Sequence, residues 1–117
     1  MPRTTTFERG QVVLVRFPFT DLVSAKQRPA LVVASFAFLG SGRDVVAVAI
    51  SGRRVGEPGP FDHVVSNWEA AGLLMPSVVR AGKLVTLQRG LIRRSLGTLE
   101  ATDLEAVDGL LRKALAL

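Results

Sequence analysis

The sequence predicts a small, mainly β domain of the α+β class, in which a strongly curved antiparallel sheet forms a partly open barrel and an α-helix follows at the C-terminus. Short apolar, β-branched segments alternate with turns rich in Gly and Pro along most of the chain. Only near the C-terminus does the apolar spacing change to that of a helix. The length of 117 residues predicts a single domain spanning 1–117.

The predicted strands lie between recognisable turn signals. Gly10 and Pro18 bound the first strand, 11–17, and a polar loop at 20–27 follows it. Further strands are expected at 30–35, 44–51, near 61–66, 77–80, 83–87 and 91–96. They are separated by a Gly-rich turn at 39–42, a loop at 52–60 with three Gly and two Pro, and one helical turn at 67–71 between a cap at Asn67 and a stop at Gly72.

The C-terminal segment is predicted to be an amphipathic helix that packs on the barrel. Thr102 and Glu105 have the spacing of a capping box. Asp103 at its start and Arg112 with Lys113 near its end would complement the helix dipole. The apolar residues that share one face are Leu104, Val107, Leu110, Leu111, Ala114 and Leu115. Any part of this apolar face that the barrel leaves uncovered is suited to a homodimer interface.

The charge is basic and unevenly distributed. The net charge is +5 and the sequence pI is about 11.1. Residues 1–97 carry thirteen Lys and Arg against six Asp and Glu, whereas 98–117 carry two against four. Twelve of the fifteen basic residues are arginine, whose planar fork matches phosphate in a bidentate way. The β-rich part of the chain is therefore expected to bind a polyanion.

The hydropathy of the chain predicts how it assembles and in which cellular compartment it is found. With 48% hydrophobic residues and a mean hydropathy of +0.32, so short a chain is expected to have apolar surface that a homodimer would bury. The sequence contains neither an apolar run of eighteen residues nor the apolar region of a signal peptide, so we expect no membrane association and a cytoplasmic protein. The absence of cysteine excludes disulfides and thiolate metal sites.

Few catalytic strategies are open to these residues. One histidine, no cysteine and no tyrosine exclude a His–His acid–base pair within one chain and make a zinc site improbable. Motifs of serine hydrolases, P-loop enzymes and dinucleotide-binding enzymes are absent. What remains is cleavage of RNA without metal or cofactor, in which the substrate's 2′-hydroxyl attacks the adjacent phosphorus. Arg28, held extended by Pro29 beside a polar loop, is placed to bind that phosphate.

Several segments together resemble one protein family. These are RGQVVLVRFPFTD at 9–21, RPALVV at 28–33, AIS at 49–51, AGLLMPSVVRAGKL at 71–84 and the C-terminal helix. Across almost its full length the chain resembles the MazF/PemK toxins. The resemblance implies an SH3-like barrel of the CcdB/MazF type and a homodimer. It also implies sequence-selective cleavage of single-stranded mRNA, leaving 2′,3′-cyclic phosphate and 5′-hydroxyl ends, and a cognate antitoxin partner with an acidic, disordered tail.

The same resemblance implies roles for individual residues. Arg28 falls on the family's catalytic arginine and would stabilise the pentacoordinate phosphorane. Ser51 falls on a strand-end threonine hydroxyl and would bind the phosphate or position a proton. Further contacts with RNA are expected from Thr20, Lys26, Gln27, Arg53, Arg80 and Lys83. We expect His63 to have a structural or surface role, Trp68 to anchor the core or a dimer, and Arg93 and Arg94 to be solvated charges.

Two departures from the family pattern leave alternatives open. Gly82 and Arg16 stand where relatives often have aspartate, which makes the site more positive and favours RNA binding over proton transfer. One alternative is therefore an RNA-binding protein of this fold that cleaves weakly or not at all. Another is a toxin of the same fold that poisons a topoisomerase, as CcdB does; the intact Arg-Pro segment argues against it.

Overall fold

A computed structural model describes residues 6–17 and 26–117 of the chain. One antiparallel sheet contains six strands in the order β4-β5-β3-β2-β1-β6. The elements are β1 Gln11–Phe17, β2 Lys26–Val32, α1 Phe36–Ser41, β3 Asp44–Ser51, β4 Asp62–Val64, β5 Val78–Gln88, a 3-10 helix Arg89–Leu91, β6 Ile92–Thr98 and α2 Ala101–Leu115. The predicted mainly β architecture with a C-terminal helix is confirmed. Neither helix is long and apolar enough to cross a membrane in the described part of the chain.

Each face of the sheet carries its own hydrophobic core, because neighbouring residues of a strand point to opposite faces. On the face that we call the α2 face, Leu31 and Val48 pack with Val107 and Leu111 of α2. On the face that we call the Phe7 face, the core clusters around Phe7 and Leu39. The strand residues of this second core are Val13, Val15, Ala30, Val32, Val45, Ala47 and Leu87. Along a regular stretch of strand, every second side chain therefore faces the same side of the sheet.

The second strand and the segment after it differ from the prediction. The strand β2 is Lys26–Val32 rather than 30–35, so Lys26 and Gln27 belong to a strand and not to the predicted loop. Helix α1 replaces the predicted turn at 39–42. Its N-cap is Ser35, whose Oγ accepts a hydrogen bond from the backbone N–H of Phe38 at 3.1 Å. A serine cap at the strand end thus starts a helix that the glycines of the segment do not prevent.

The two strands predicted at 77–80 and 83–87 form one long strand, β5. Their apparent separation has a physical cause. On β3, Val48 lies opposite Leu84 and Ala49 lies opposite Arg80, so residues 81–83 have no partner on that strand. This irregularity bends β5 beside the strand end that carries Ser51. The strand predicted at 91–96 is also shifted, to Ile92–Thr98.

The predicted capping box of α2 is wrong. The helix begins at Ala101, and its N-cap is Glu100, which makes no side-chain capping bond. Thr102 therefore lies inside the first turn rather than before it. Asp103 does lie in the first turn, as predicted, and its buried side chain is also bonded to groups outside the helix. Arg112 and Lys113 do lie in the last turn, as predicted.

Asp103 connects α2 to the strand β4. Its carboxylate lies 2.7 Å from Nε2 of His63 and accepts hydrogen bonds from the hydroxyl of Ser66 at 2.9 Å and from the Ser66 backbone N–H. Burial alone would raise the pKa of Asp103, but the bonds from His63 and Ser66 outweigh it and hold that pKa below the ordinary value of a carboxyl group. His63 therefore has the structural role that the sequence predicted.

Asp103→Asn should destabilise the fold at neutral pH by on the order of 3 kcal/mol, because it breaks a buried charged network. Since the folded-state pKa of Asp103 is depressed, its contribution is complete above the unfolded pKa of about 3.9 and is lost as pH falls through the folded pKa. Urea unfolding of both proteins across pH 3–7 measures this, and the difference between them should shrink below about pH 4. Asp108→Asn, which removes a surface pair with Arg9, should cost no more than about 1 kcal/mol. Equal losses of unfolding free energy in Asp103→Asn and Asp108→Asn would contradict the assignment of Asp103 to a buried charged network.

The predicted helical turn at 67–71 is confirmed as a hydrogen-bonded turn. The side chain of Asn67 accepts from the backbone N–H of Ala70 at 3.2 Å, and Gly72 ends the turn with a positive φ of 81°. Trp68 is half-buried and packs against the core of the α2 face. The turn therefore closes one end of that core, in keeping with the anchoring role expected for Trp68.

Candidate active site

The end of β2 and the end of β3 bring Arg28 and Ser51 together. These antiparallel strands pair Leu31 with Val48 and Ala30 with Ala49. Continuing that register by two residues places Arg28 level with Ser51 on the neighbouring strand. By this extension of the register, the two residues that the sequence assigned to catalysis fall level on neighbouring strands, although they are 23 positions apart in the chain.

Arg80 joins them from a third strand. It lies opposite Ala49 of β3 and opposite Asp62 of β4. Because paired residues share a face and alternate residues return to it, Arg28, Ser51 and Arg80 all belong to the Phe7 face. The Cα atoms of Arg28 and Arg80 are two strand spacings apart, roughly 10 Å sideways. Arg28 on one side and Arg80 on the other therefore flank the strand that carries Ser51 on this face.

Local hydrogen bonds orient two of these side chains. The Oγ of Ser51 accepts a bond from the backbone N–H of Arg53 at 3.2 Å, so its own hydrogen is available to a phosphate oxygen. The Nε of Arg80 donates to Oδ1 of Asp62 at 3.2 Å. Asp62 is nearly buried and also accepts from the backbone N–H of Gly59 at 2.7 Å. Asp62 thereby fixes the direction of Arg80 and leaves its terminal nitrogens for a ligand.

Arg28 is exposed, in contrast to Arg80. Within residues 6–17 and 26–117, Arg28 forms no ion pair. An exposed guanidinium outside the ion pairs of the described residues has its charge available to an anion. The site thus combines a fixed arginine, a hydroxyl donor and a second arginine whose charge is available.

A small cavity of about 210 Å³ adjoins Arg80. Its wall joins the loop before β4 to the irregular part of β5, and its lining residues include Arg54, Gly59, Phe61, Arg80, Gly82 and Lys83. A Cβ atom built at Gly82 would meet nothing closer than the Cβ of Phe61 at 3.9 Å. Packing therefore leaves room for a Cβ atom at this position and does not by itself require glycine there.

The other residues expected to bind RNA fall into three groups. Lys26 shares the Phe7 face with Arg28, Arg53 is exposed just after β3, and Lys83 is exposed in the irregular middle of β5, where it lines the cavity beside Arg80. Gln27 lies opposite Arg16 and points to the other face, so strand alternation separates it from Arg28. Thr20 lies outside the described residues.

Asp62 is the functional neighbour that the sequence did not reveal. The carboxylates appear scattered along the chain, and Asp62 lies 18 positions from Arg80. Their pairing follows from the register of β4 on β5, which no local pattern encodes. In the described part of the chain, no group of three or more His, Asp or Glu side chains is arranged to hold a metal ion.

Comparisons with known proteins agree with the fold described above. A solved mycobacterial endoribonuclease, in complex with its cognate antitoxin, has a TM-score of 0.79 and 22% identity, with 96% of this chain and 97% of that chain covered. MazF from Deinococcus radiodurans has a TM-score of 0.77 and 25% identity, with 97% and 100% covered. The Mycobacterium tuberculosis toxin MazF-mt6 has a TM-score of 0.74 and 20% identity, with 92% and 97% covered.

At the sequence level, no curated protein matches the chain. The model of one family, described as PemK-like, MazF-like toxin of type II toxin-antitoxin system, matches residues 8–115. That range contains every strand that the structure describes and all of α2. The chain therefore belongs to the PemK-like, MazF-like toxins of type II toxin–antitoxin systems.

Proposed function

We propose that this toxin is an endoribonuclease that cleaves single-stranded RNA without a metal ion. The observation that carries the proposal is the register of β2 on β3, because its extension by two residues brings Arg28 level with Ser51 on a face shared with Arg80. The family match and the likeness to proteins named as endoribonucleases support it. RNA supplies its own nucleophile, so a site of arginines and one hydroxyl suffices.

In the proposed reaction the 2′-oxygen attacks the adjacent phosphorus as its proton passes to water, the bond from phosphorus to the 5′-oxygen breaks, and that oxygen takes up a proton from water. The products carry a 2′,3′-cyclic phosphate and a 5′-hydroxyl. Negative charge builds on the nonbridging oxygens at the pentacoordinate stage, and Arg28 binds these oxygens through two N–H groups. Arg80, held by Asp62, adds a second fixed positive charge. The hydroxyl of Ser51 donates to one of the same oxygens and keeps the phosphorus in line with the 2′-oxygen.

Gly82 bears on proton transfer in this scheme. A carboxylate at that position would be available to remove the 2′-proton, and glycine has none. Acceleration must then come mainly from charge stabilisation and orientation, which act without proton exchange. The same departure favours the second candidate function, in which the site binds RNA and does not cut it.

The partners proposed for this site are single-stranded RNA and a cognate antitoxin. Unpaired bases present their Watson–Crick edges to the loops around the site, which would give sequence selectivity. A relative has been solved in complex with its cognate antitoxin. An acidic, disordered antitoxin tail could displace RNA by folding onto the same basic surface.

The homodimer stays a prediction. The apolar surface best suited to it surrounds a groove of about 540 Å³ between α1 and α2. Four large apolar side chains of this groove are exposed, namely Phe38, Leu84, Leu115 and Leu117.

The proposal is tested by incubating the purified protein, in EDTA, with a long mixed-sequence single-stranded RNA and mapping the new ends. We expect discrete cuts that leave 5′-hydroxyl ends, because the reaction needs no metal. Intact RNA that nevertheless shifts in a gel would overturn cleavage and support the binding function. Cutting that requires added Mg²⁺ and leaves 5′-phosphate ends would contradict the mechanism.

A further inference from the structure

A second cluster of arginines borders a cavity of about 750 Å³, away from the residues assigned to cleavage. The four arginines come from three segments: Arg43 precedes β3, Arg89 belongs to the 3-10 helix, and Arg93 and Arg94 begin β6. The backbone N–H of Arg89 donates to the carbonyl oxygen of Arg43 at 2.8 Å. This bond holds two of the three segments side by side.

A β-bulge explains how neighbouring residues of β6 both reach this cavity. On β1, Leu14 pairs with Arg94 and Val15 pairs with Ile92, so Arg93 is the extra residue. A bulge interrupts the alternation that would otherwise send Arg93 and Arg94 to opposite faces. Two exposed guanidinium groups therefore border the same space.

The charge of this cavity is not neutralised by the described residues. Arg89 lies over the ring of Phe7, 5.8 Å from its centroid, and its Nη2 donates to the carbonyl oxygen of Leu39 at 2.9 Å. Its buried Nε has no hydrogen-bond partner there. Asp44 is the one carboxylate in the lining, so four arginines leave an excess of three positive charges. None of the ion pairs within 6–17 and 26–117 involves these arginines.

The register of β1 relates this cavity to the active site. Val15 pairs with Arg28 on one side and with Ile92 on the other. Ile92 borders the cavity and shares the Phe7 face with Val15 and Arg28. Two strand spacings, roughly 10 Å, therefore separate the Cα of Arg28 from the cavity wall. An extended strand whose scissile phosphate lies at Arg28 can continue into the cavity.

The chemistry of the lining indicates what part of such a strand it would bind. Arginine forks match phosphate oxygens, and Gln11, Gln88 and Ser95 add neutral hydrogen-bonding groups. Phe7 is buried and covered by Arg89, so among the lining residues no exposed aromatic ring is available for a base to stack on. The cavity therefore suits the backbone of RNA and not its bases.

We propose that Arg43, Arg89, Arg93 and Arg94 form a phosphate-binding subsite for RNA that extends beyond the scissile nucleotide. The inference rests on the proposed function, because it places the scissile phosphate at Arg28. It replaces the expectation that Arg93 and Arg94 are merely solvated charges. The subsite adds affinity without base selectivity.

The test compares the double variant Arg93→Gln/Arg94→Gln with the matched double variant Arg112→Gln/Lys113→Gln, which loses the same charge on exposed positions of α2. The affinity for a long fluorescein-labelled RNA, made with a 2′-deoxy nucleotide at any mapped cut site, is measured by anisotropy at several salt concentrations. We expect at least a tenfold loss in the first variant and less than a twofold loss in the second. The slope of log K against log salt should fall by about 0.7 for each phosphate contact removed.

A length series separates this subsite from the active site. With RNAs that just cover the cut site, the Arg93→Gln/Arg94→Gln variant should behave as wild type. With longer RNAs its KM should rise while kcat is unchanged, because the lost contacts are made equally before and during cleavage. Equal effects on short and long RNA would overturn the inference.

The outcomes also distinguish the inference from the proposed function. If wild type cuts RNA and the two double variants bind it equally, the subsite is refuted and cleavage stands. If wild type binds RNA without cutting it and only the first variant loses affinity, cleavage is refuted and the subsite stands. If that variant keeps its RNA affinity but binds a polyglutamate peptide at least tenfold more weakly, the cavity is a site for acidic peptide and the RNA assignment is wrong.

Discussion

Arg28→Ala is expected to lower the rate constant of RNA cleavage by a factor of about 10²–10³, as does removal of other single groups that stabilise transition-state charge. The loss should appear in kcat, because Arg28 binds the phosphorane more strongly than the ground-state phosphate. Arg28→Lys should retain more activity than Arg28→Ala, since it keeps the charge and loses the bidentate geometry. Single-turnover cleavage of a mapped substrate measures all three proteins.

The control for this prediction is that the Arg28→Ala variant remains folded. Arg28 is exposed and makes no ion pair with other described residues, so its removal should leave the unfolding midpoint close to that of wild type. Arg112→Ala, an exposed arginine on α2, should cleave at nearly the wild-type rate. A fully active Arg28→Ala variant would remove Arg28 from the mechanism.

Gly72→Ala is expected to destabilise the protein by about 4 kcal/mol or more, among the largest effects of any single substitution. A Cβ at Gly72 would lie 1.9 Å from the backbone oxygen of Leu96, and the φ of 81° disfavours any other residue. Because the atoms that such a Cβ would meet are backbone atoms, no flexible side chain can move to make room for it. Gly97, which faces the same contact, is similarly constrained, because its Cβ would lie 2.5 Å from the oxygen of Ala71.

Gly109→Ala is the matched control. Gly109 lies in α2, and a Cβ there meets nothing within 4 Å. Alanine at that position should stabilise the helix by about 0.5–1 kcal/mol. The Tm values of the two variants, measured by thermal unfolding, should therefore change in opposite directions, and Tm should fall by about 15 °C or more in Gly72→Ala. A Gly72→Ala variant with the same Tm as wild type would show that the turn at 67–71 does not pack on β6 as described.

The strands that follow regular alternation were predictable from the sequence alone. Those at 11–17 and 44–51 have the predicted bounds, because each is an unbroken apolar, β-branched run between clear turn residues. The helix α1 was missed because two glycines lie in or directly after it and only the cap at Ser35 marks its start. The start of α2 was misplaced because its N-cap, Glu100, makes no side-chain capping bond and so leaves no capping signal in the sequence.

The candidate site could be predicted only in part for a similar reason. Arg28 and Ser51 were identified by their motifs, and the register of β2 on β3 then places them level. The pairing of Arg80 with Asp62 depends on the register of β4 on β5, and strand register of this kind has no local sequence signal. The same holds for the arginine cluster at Arg93 and Arg94, which depends on a bulge.

The central claim is that the substrate's own 2′-hydroxyl is the nucleophile at the site of Arg28 and Ser51. It is tested most directly by replacing one nucleotide, on the 5′ side of a mapped cut, with its 2′-deoxy counterpart and measuring cleavage and binding of that RNA. The account predicts that the cut at this position disappears while affinity changes little. Continued cleavage at the deoxy position would mean that water or a protein group attacks the phosphorus, and would contradict the account.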